Sequence, residues 1–166
     1  MIIFDLDGTL ANCEHRKHFI DPKKNLTINC DRTGCWDNGW KPDWKAFFDA
    51  CHKDTPINPT IQILNNLILL DNHIEIWSGR CESVREKTED WLYDLLFENK
   101  QYSIKIKMRP IGDYTPDDQL KEKWLDEAIA NGIDIEYIFD DCPKVVRMWR
   151  RRGIFVFDCN QSNLEF

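Results

Sequence analysis

Two carboxylates, Asp5 and Asp7, stand one residue apart where the apolar run of IIFDLDGTLA gives out, and Gly8 and Thr9 follow directly. A second acidic pair, Asp140 and Asp141, ends a later apolar run, YIFDD, and Ser78 with Arg80 ends a third, IEIWSGR. Four carboxylates gathered in one partly dry cleft repel one another strongly unless a cation shares the cleft. Oxygen donors that leave room for bound water suit Mg²⁺, which commonly links carboxylates to a phosphate. The Lys121 ammonium, the Arg80 guanidinium and the Ser78 hydroxyl would complete an anion site. An Asp can attack phosphorus to give an aspartyl-phosphate while a second carboxylic acid protonates the leaving oxygen, and Asp5 and Asp7 suit those two roles. Gly8 and Thr9 mark a turn that lets Asp7 swing over Asp5 and brings its backbone carbonyl to the metal.

These residues need a scaffold that brings distant stretches together. Residues 2–6 read as a strand buried on both faces, because the run is apolar without alternation. Residues 12–56 are polar and irregular, hold one helix over 43–52, and read as an insertion. Asn58 and Pro59 open a helix to about residue 70, and residues 73–77 form a short apolar strand. A helix over 82–97, a strand over 103–108, a helix opened by Thr115 and Pro116 and closed by Gly132, a strand over 136–139, a helix over 143–152 and a strand over 154–157 complete the alternation. Such alternation predicts an α/β fold with a parallel sheet, helices on both faces and a small insertion after the first strand. Ligands bind beyond the carboxyl ends of such strands, where Asp5, Asp7, Ser78, Asp140 and Asp141 all fall.

Composition sets outer bounds. A chain of 166 residues with seven Trp and nine Phe fits a single domain with a sizeable core. Met1 opens directly into a strand and the apolar run at 61–70 is too short to span a bilayer, so a soluble, cytoplasmic protein without a membrane partner is expected. The seven Cys show no paired spacing, which predicts reduced thiols. A formal net charge of -7 argues against an extended nucleic-acid groove.

Taken in order, DLDGT at 5–9, WSGR at 77–80, KEKW at 121–124 and IFDD at 138–141 resemble the four motifs of the haloacid dehalogenase (HAD) superfamily of phosphatases. Within it the chain is most similar to the 3'-phosphatase domain of bacteriophage polynucleotide kinase-phosphatase, through INP at 57–59, SGR, DDQLKE at 117–122 and DDCPKVVRMWRRRG at 140–153. The resemblance covers most of the chain outside 12–41. It implies a HAD-like, Rossmann-like domain over 1–166 with a small cap at 12–56, Asp5 as nucleophile and Asp7 as general acid and base. It implies that Thr9, Ser78, Gly79 and Lys121 hold the phosphoryl group with Arg80 nearby. Mg²⁺ would sit with Asp5, Asp7 and Asp141, the preferred acidic ligand, with Asp140 as second choice or outer partner. No G-x-x-x-x-G-K-[ST] match is present, since Gly34 and Gly39 are followed by Trp40 and Lys41, so kinase activity is not expected.

Several of these residues have ordinary structural uses. Asp140 and Asp141 before Pro143 can cap a helix while binding a metal. Arg147, Arg150, Arg151 and Arg152 suit either a helix's last turns or a nucleic-acid backbone. Cys13, His15, His18, Cys30 and Cys35 match no common zinc module. Trp36, Trp40 and Trp44 can stack on a base or pack the cap onto the domain. Three functions fit: removal of 3'-phosphate from polynucleotide ends, hydrolysis of free mononucleotides, and a phospho-acceptor signalling domain. The acid pair at the end of the first strand, rather than a middle one, argues against the last.

Overall fold

A computed structural model describes residues 1–21, 40–96 and 104–160. Its centre is a five-stranded sheet in the order β5-β4-β1-β6-β7, built from β1 (Ile2–Phe4), β4 (Ile74–Cys81), β5 (Lys105–Arg109), β6 (Tyr137–Asp140) and β7 (Phe155–Asp158). Every pairing in it is parallel, with Ile2 opposite Ile74 on one side and Tyr137 on the other. The expected parallel α/β sheet is therefore present.

Alternation along β1 divides the core in two. Ile3 packs with Trp124 and Leu125 of helix α4 (Asp117–Ala130) and with Val145 and Trp149 of α5 (Pro143–Arg151). Ile2 and Phe4 pack with Leu64 of α2 (Asn58–Leu69) and Trp91 and Leu92 of α3 (Arg85–Leu96) on the opposite face. A strand buried on both faces has no polar side to present, which is why its sequence does not alternate. On the α2 side Phe4 stacks on Phe139 at 4.3 Å, and Phe139 on Phe157 at 4.7 Å, tying β1, β6 and β7 together.

Several boundaries differ from expectation. The ladder of β1 ends at Phe4, although the Asp5 amide still donates to the Phe139 carbonyl. β4 runs through Ser78, Gly79 and Arg80 to Cys81, with a register shift between Ser78 and Cys81, so SGR is the irregular end of a strand rather than a turn after one. The helix expected over 82–97 starts as a 3-10 turn, Glu82–Val84. The helix expected over 43–52 is α1 (Trp44–Asp49) continued as a 3-10 turn, Ala50–Lys53. β2 (Ala11–Asn12) and β3 (Thr55–Pro56) pair antiparallel, so the two ends of the 12–56 stretch meet. A 3-10 turn, Glu14–Phe19, follows β2. Residues 22–39 of that stretch, including Cys30, Gly34, Cys35, Trp36 and Gly39, lie outside the described residues, as do residues 97–103. No helix among the described residues is long and apolar enough to cross a membrane.

Candidate active site

The carboxyl ends of β1 and β6 put three acids together. Ligand oxygens of Asp5, Asp140 and Asp141 lie within 4.8 Å of one another, and all three residues are buried. Lys121, reaching in from the first turns of α4, donates to Asp5 Oδ1 at 2.6 Å and to Asp140 Oδ2 at 2.8 Å. One ammonium therefore faces three carboxylates. Burial pushes the Asp5 carboxyl well above the usual range; Lys121 works against that, while Asp140 and Asp141 reinforce it. Burial and then Asp140 push Asp141 up to about 7.

The adjacent acids at the end of β6 are not equivalent. Asp140 is saturated: its Oδ1 accepts from the Cys142 amide at 3.0 Å, and its Oδ2 accepts from Lys121 and from Trp149 Nε1 at 3.2 Å. Asp141 has no ion-pair partner among the described residues and faces Gly8. A Cβ built on Gly8 would fall 1.9 Å from Asp141 Oδ2, and Gly8 has φ +93°, so a glycine is required there twice over. Beside it Thr9 is fully buried, and its Oγ1 has no hydrogen-bond partner. Three carboxylates share one ammonium, and a buried hydroxyl left without a partner has capacity for a polar group from outside the chain. Oxygen donors with a surplus of negative charge fit a hard divalent cation.

Asp7 sits elsewhere. Its Oδ1 accepts from Arg16 at 2.6 Å and from both Nε and NH2 of Arg80 at 3.0 and 2.5 Å. Burial alone would raise its pKa, but the two guanidiniums outweigh that and hold it below the usual carboxylate range. The same guanidiniums clamp a second carboxylate, Asp54, whose Oδ2 lies 2.8 Å from Arg16 and 2.5 Å from Arg80. The side chains of Arg16, Arg80 and Asp54 are wholly buried. Arg80 thus spends its charge on Asp7 and Asp54. Sequence reading did not single out Arg16 or Asp54 in this network.

Ser78 is buried at the end of β4, and its Oγ accepts from the Arg80 amide at 3.2 Å, which leaves its own proton to donate. At Gly79 a Cβ would meet Asp117 Oδ1 at 2.5 Å, so the SGR bend closes against the first residue of α4. Three of the four arginines at 147–152 pair with acids: Arg151 and Arg152 with Glu122, Arg152 also with Asp126, and Arg150 with Asp158. His15 Nε2 donates to Asp54 Oδ1 at 2.9 Å and His18 Nδ1 to the His15 carbonyl at 2.9 Å. Among the described residues only the Asp5, Asp140 and Asp141 group could hold a metal. Trp44 is half exposed and packs near Phe47 and Phe48, at 5.8 and 6.0 Å between ring centres.

Residues 44–164 match the family model of the polynucleotide kinase PNKP phosphatase domain. A putative bifunctional polynucleotide kinase/RNA ligase of Autographa californica nuclear polyhedrosis virus is 36% identical over 130 residues, covering 75% of this chain and 18% of that protein. The chain thus spans less than a fifth of that relative. A chain of the Pnkp1/Rnl/Hen1 RNA repair complex superposes with a TM-score of 0.65 at 24% identity, over 95% of this chain and 41% of that one. A HAD family enzyme from Bacteroides thetaiotaomicron, solved as a magnesium complex, superposes with a TM-score of 0.50 at 12% identity, over 95% and 91% of the two chains. The family match begins after Asp5–Thr9, so the placement of the acid pair at the head of the sheet is independent of it. By the family match over residues 44–164, the chain belongs to the PNKP phosphatase domain family and is a phosphatase of the HAD superfamily.

Proposed function

We propose that the protein is a Mg²⁺-dependent phosphomonoesterase that removes 3'-phosphate from polynucleotide ends by way of an aspartyl-phosphate on Asp5. The observation that carries this reading is the group of three buried acids served by one lysine, with Asp5 among them. Asp5 and Asp141 are the side chains that would hold the ion, aided by the Asp7 carbonyl, with Asp140 fixing Lys121 behind them. The ion would supply the positive charge that returns Asp5 to its ionised, nucleophilic form and offsets the charge of the phosphoryl oxygens.

The chain's own groups do the rest. Lys121, the Ser78 hydroxyl and the Thr9 hydroxyl are the donors available to the phosphoryl oxygens, and Thr9 Oγ1 would gain the partner it lacks. Asp5 attacks phosphorus, the bond to the leaving oxygen breaks, and Asp7 supplies the proton that oxygen needs. Asp7 rests ionised between Arg16 and Arg80; a phosphate dianion beside it raises its affinity for a proton, which it takes up from solvent water as the substrate binds and passes to the leaving oxygen. In the second half Asp7 takes a proton from the water that hydrolyses the phospho-enzyme.

Mononucleotides remain the competing substrate, favoured by the pairing of the α5 arginines with acids and by the net charge of -7. The test is phosphate release from a 3'-phosphorylated oligonucleotide and from 3'- and 5'-mononucleotides, with Mg²⁺ or EDTA, and Asp5→Asn as the blank. Release that needs Mg²⁺, prefers the oligonucleotide and vanishes in Asp5→Asn is expected. Equal turnover in EDTA would remove the ion, and preference for a mononucleotide would replace the substrate.

A further inference from the structure

We infer that the 3-10 turn Glu14–Phe19 binds the substrate strand one nucleotide beyond the scissile phosphate, with Lys17 and His15 contacting the next phosphodiester. The inference rests on the phosphatase reading above and names the element that would make the enzyme act on strands rather than mononucleotides.

Position is the first argument. Arg16, in the middle of the turn, is wholly buried and donates to Asp7, to both oxygens of Asp54 and to the Phe47 carbonyl, while its guanidinium lies 4.1 Å over the Phe47 ring. The turn is therefore fixed relative to Asp7. Asp7 is the group that must meet the leaving oxygen, and the rest of the strand extends from that oxygen. The residues flanking Arg16 stand where the strand has to pass.

Their chemistry is the second. The Lys17 side chain is 27% exposed and follows Arg16 directly; its ammonium donates to Glu14 Oε1 on the same turn at 2.5 Å, and an ammonium carries three N–H donors. The His15 side chain is 37% exposed, and its ring is oriented by the bond from Nε2 to buried Asp54. A carboxylate oxygen only accepts, so Nε2 carries a proton; Nδ1, without a partner among the described residues, is the atom left to meet the strand, and it donates to a phosphodiester oxygen in the imidazolium form, where both nitrogens carry protons. Asp54 already accepts three bonds from Arg16 and Arg80, so it does not need His15 to be satisfied. On a chain of net charge -7, attraction for a polyanion must be local.

The experiment compares wild type, Lys17→Ala, Lys17→Arg and the double variant His15→Gln/Lys17→Ala. The readouts are the ratio of kcat/KM on a 3'-phosphorylated oligonucleotide to that on a 3'-mononucleotide, and the salt dependence of the oligonucleotide value. Loss of the turn's contacts should lower the ratio about tenfold in the double variant and flatten the log–log salt slope by about one, with Lys17→Arg near wild type. A ratio and slope unchanged in the double variant would overturn the inference. A second arm measures binding of a labelled 3'-phosphorylated oligonucleotide to Asp5→Asn with and without the turn substitutions, and about tenfold weaker binding is expected. A wild-type protein that releases no phosphate from any substrate would defeat the phosphatase reading instead, and the binding arm, needing no turnover, would still decide the role of the turn.

Discussion

Replacing Asp54 by Asn removes one negative charge from a buried set of two carboxylates and two guanidiniums while leaving its shape almost intact. In the wild-type protein Asp7 and Asp54 balance Arg16 and Arg80, and three of the four side chains have no solvent access. The variant leaves two guanidiniums facing one carboxylate. Breaking a buried pair from one side costs about 3–5 kcal/mol, because a charge is stranded away from water. For a chain of this length that is a fall in Tm of roughly 6–20 °C. Arg16→Met strands a carboxylate instead and should cost a similar amount. Combining the two restores balance, since Arg80 and Asp7 remain paired, so the double variant should lose at least about 2 kcal/mol less than the sum of the singles. Urea unfolding followed by Trp fluorescence measures all four corners of this cycle. Additive losses, or a loss below about 1 kcal/mol for Asp54→Asn alone, would mean that the four groups do not act as one charge-balanced unit.

Other perturbations probe the acid cluster. Asp141 is protonated more readily in the folded, ion-free protein than in the unfolded chain, so its contribution to stability is full below its unfolded value of 3.8 and is lost as pH rises through about 7. In EDTA the urea midpoint should therefore fall between pH 5 and pH 8, and added Mg²⁺ should raise it more at pH 8 than at pH 5; a larger effect at pH 5 would contradict the site. Gly8→Ala forces a Cβ into the Asp141 carboxylate at a positive φ, and turnover should fall at least about a hundredfold, with a stability loss of about 1–3 kcal/mol. Near-normal kinetics in that variant would show that Asp141 is not needed where it stands. Trp149→Phe removes one donor from Asp140 Oδ2 and should cost about 1–3 kcal/mol, read in the same unfolding assay.

The parts of the site that could be read from the chain are those whose position follows from strand ends. Asp5, Ser78, Asp140 and Asp141 each close an apolar run, and a parallel sheet brings such ends to one edge whatever the details of the loops. Lys121 suits an anion site by its charge, but its reach to two strands at once has no local signature. Arg16 and Asp54 were invisible as a pair because they lie 38 residues apart in a stretch without periodicity, and a long guanidinium chooses its partners in three dimensions. Arg80 illustrates the limit in the other direction: its motif marks it as near the phosphate, yet two carboxylates absorb its charge. The α5 arginines read equally well as a nucleic-acid face or as partners for α4, and only the packing of α5 on α4 brings Glu122 and Asp126 within reach. β4 runs past its expected end because the register shift skips Gly79 and Arg80 and lets pairing resume at Cys81, opposite Arg109.

Lys121 gives the ion-free enzyme a way to keep its shape. Its ammonium joins the acids of β1 and β6, so the two central strands remain tethered at the very edge where their like charges would otherwise drive them apart. An arriving ion meets carboxylates already gathered and has little backbone to rearrange, which favours rapid exchange over slow, tight capture. An enzyme that worked with an ion at this site would follow changes in its supply reversibly, falling idle without unfolding and resuming work without a folding step.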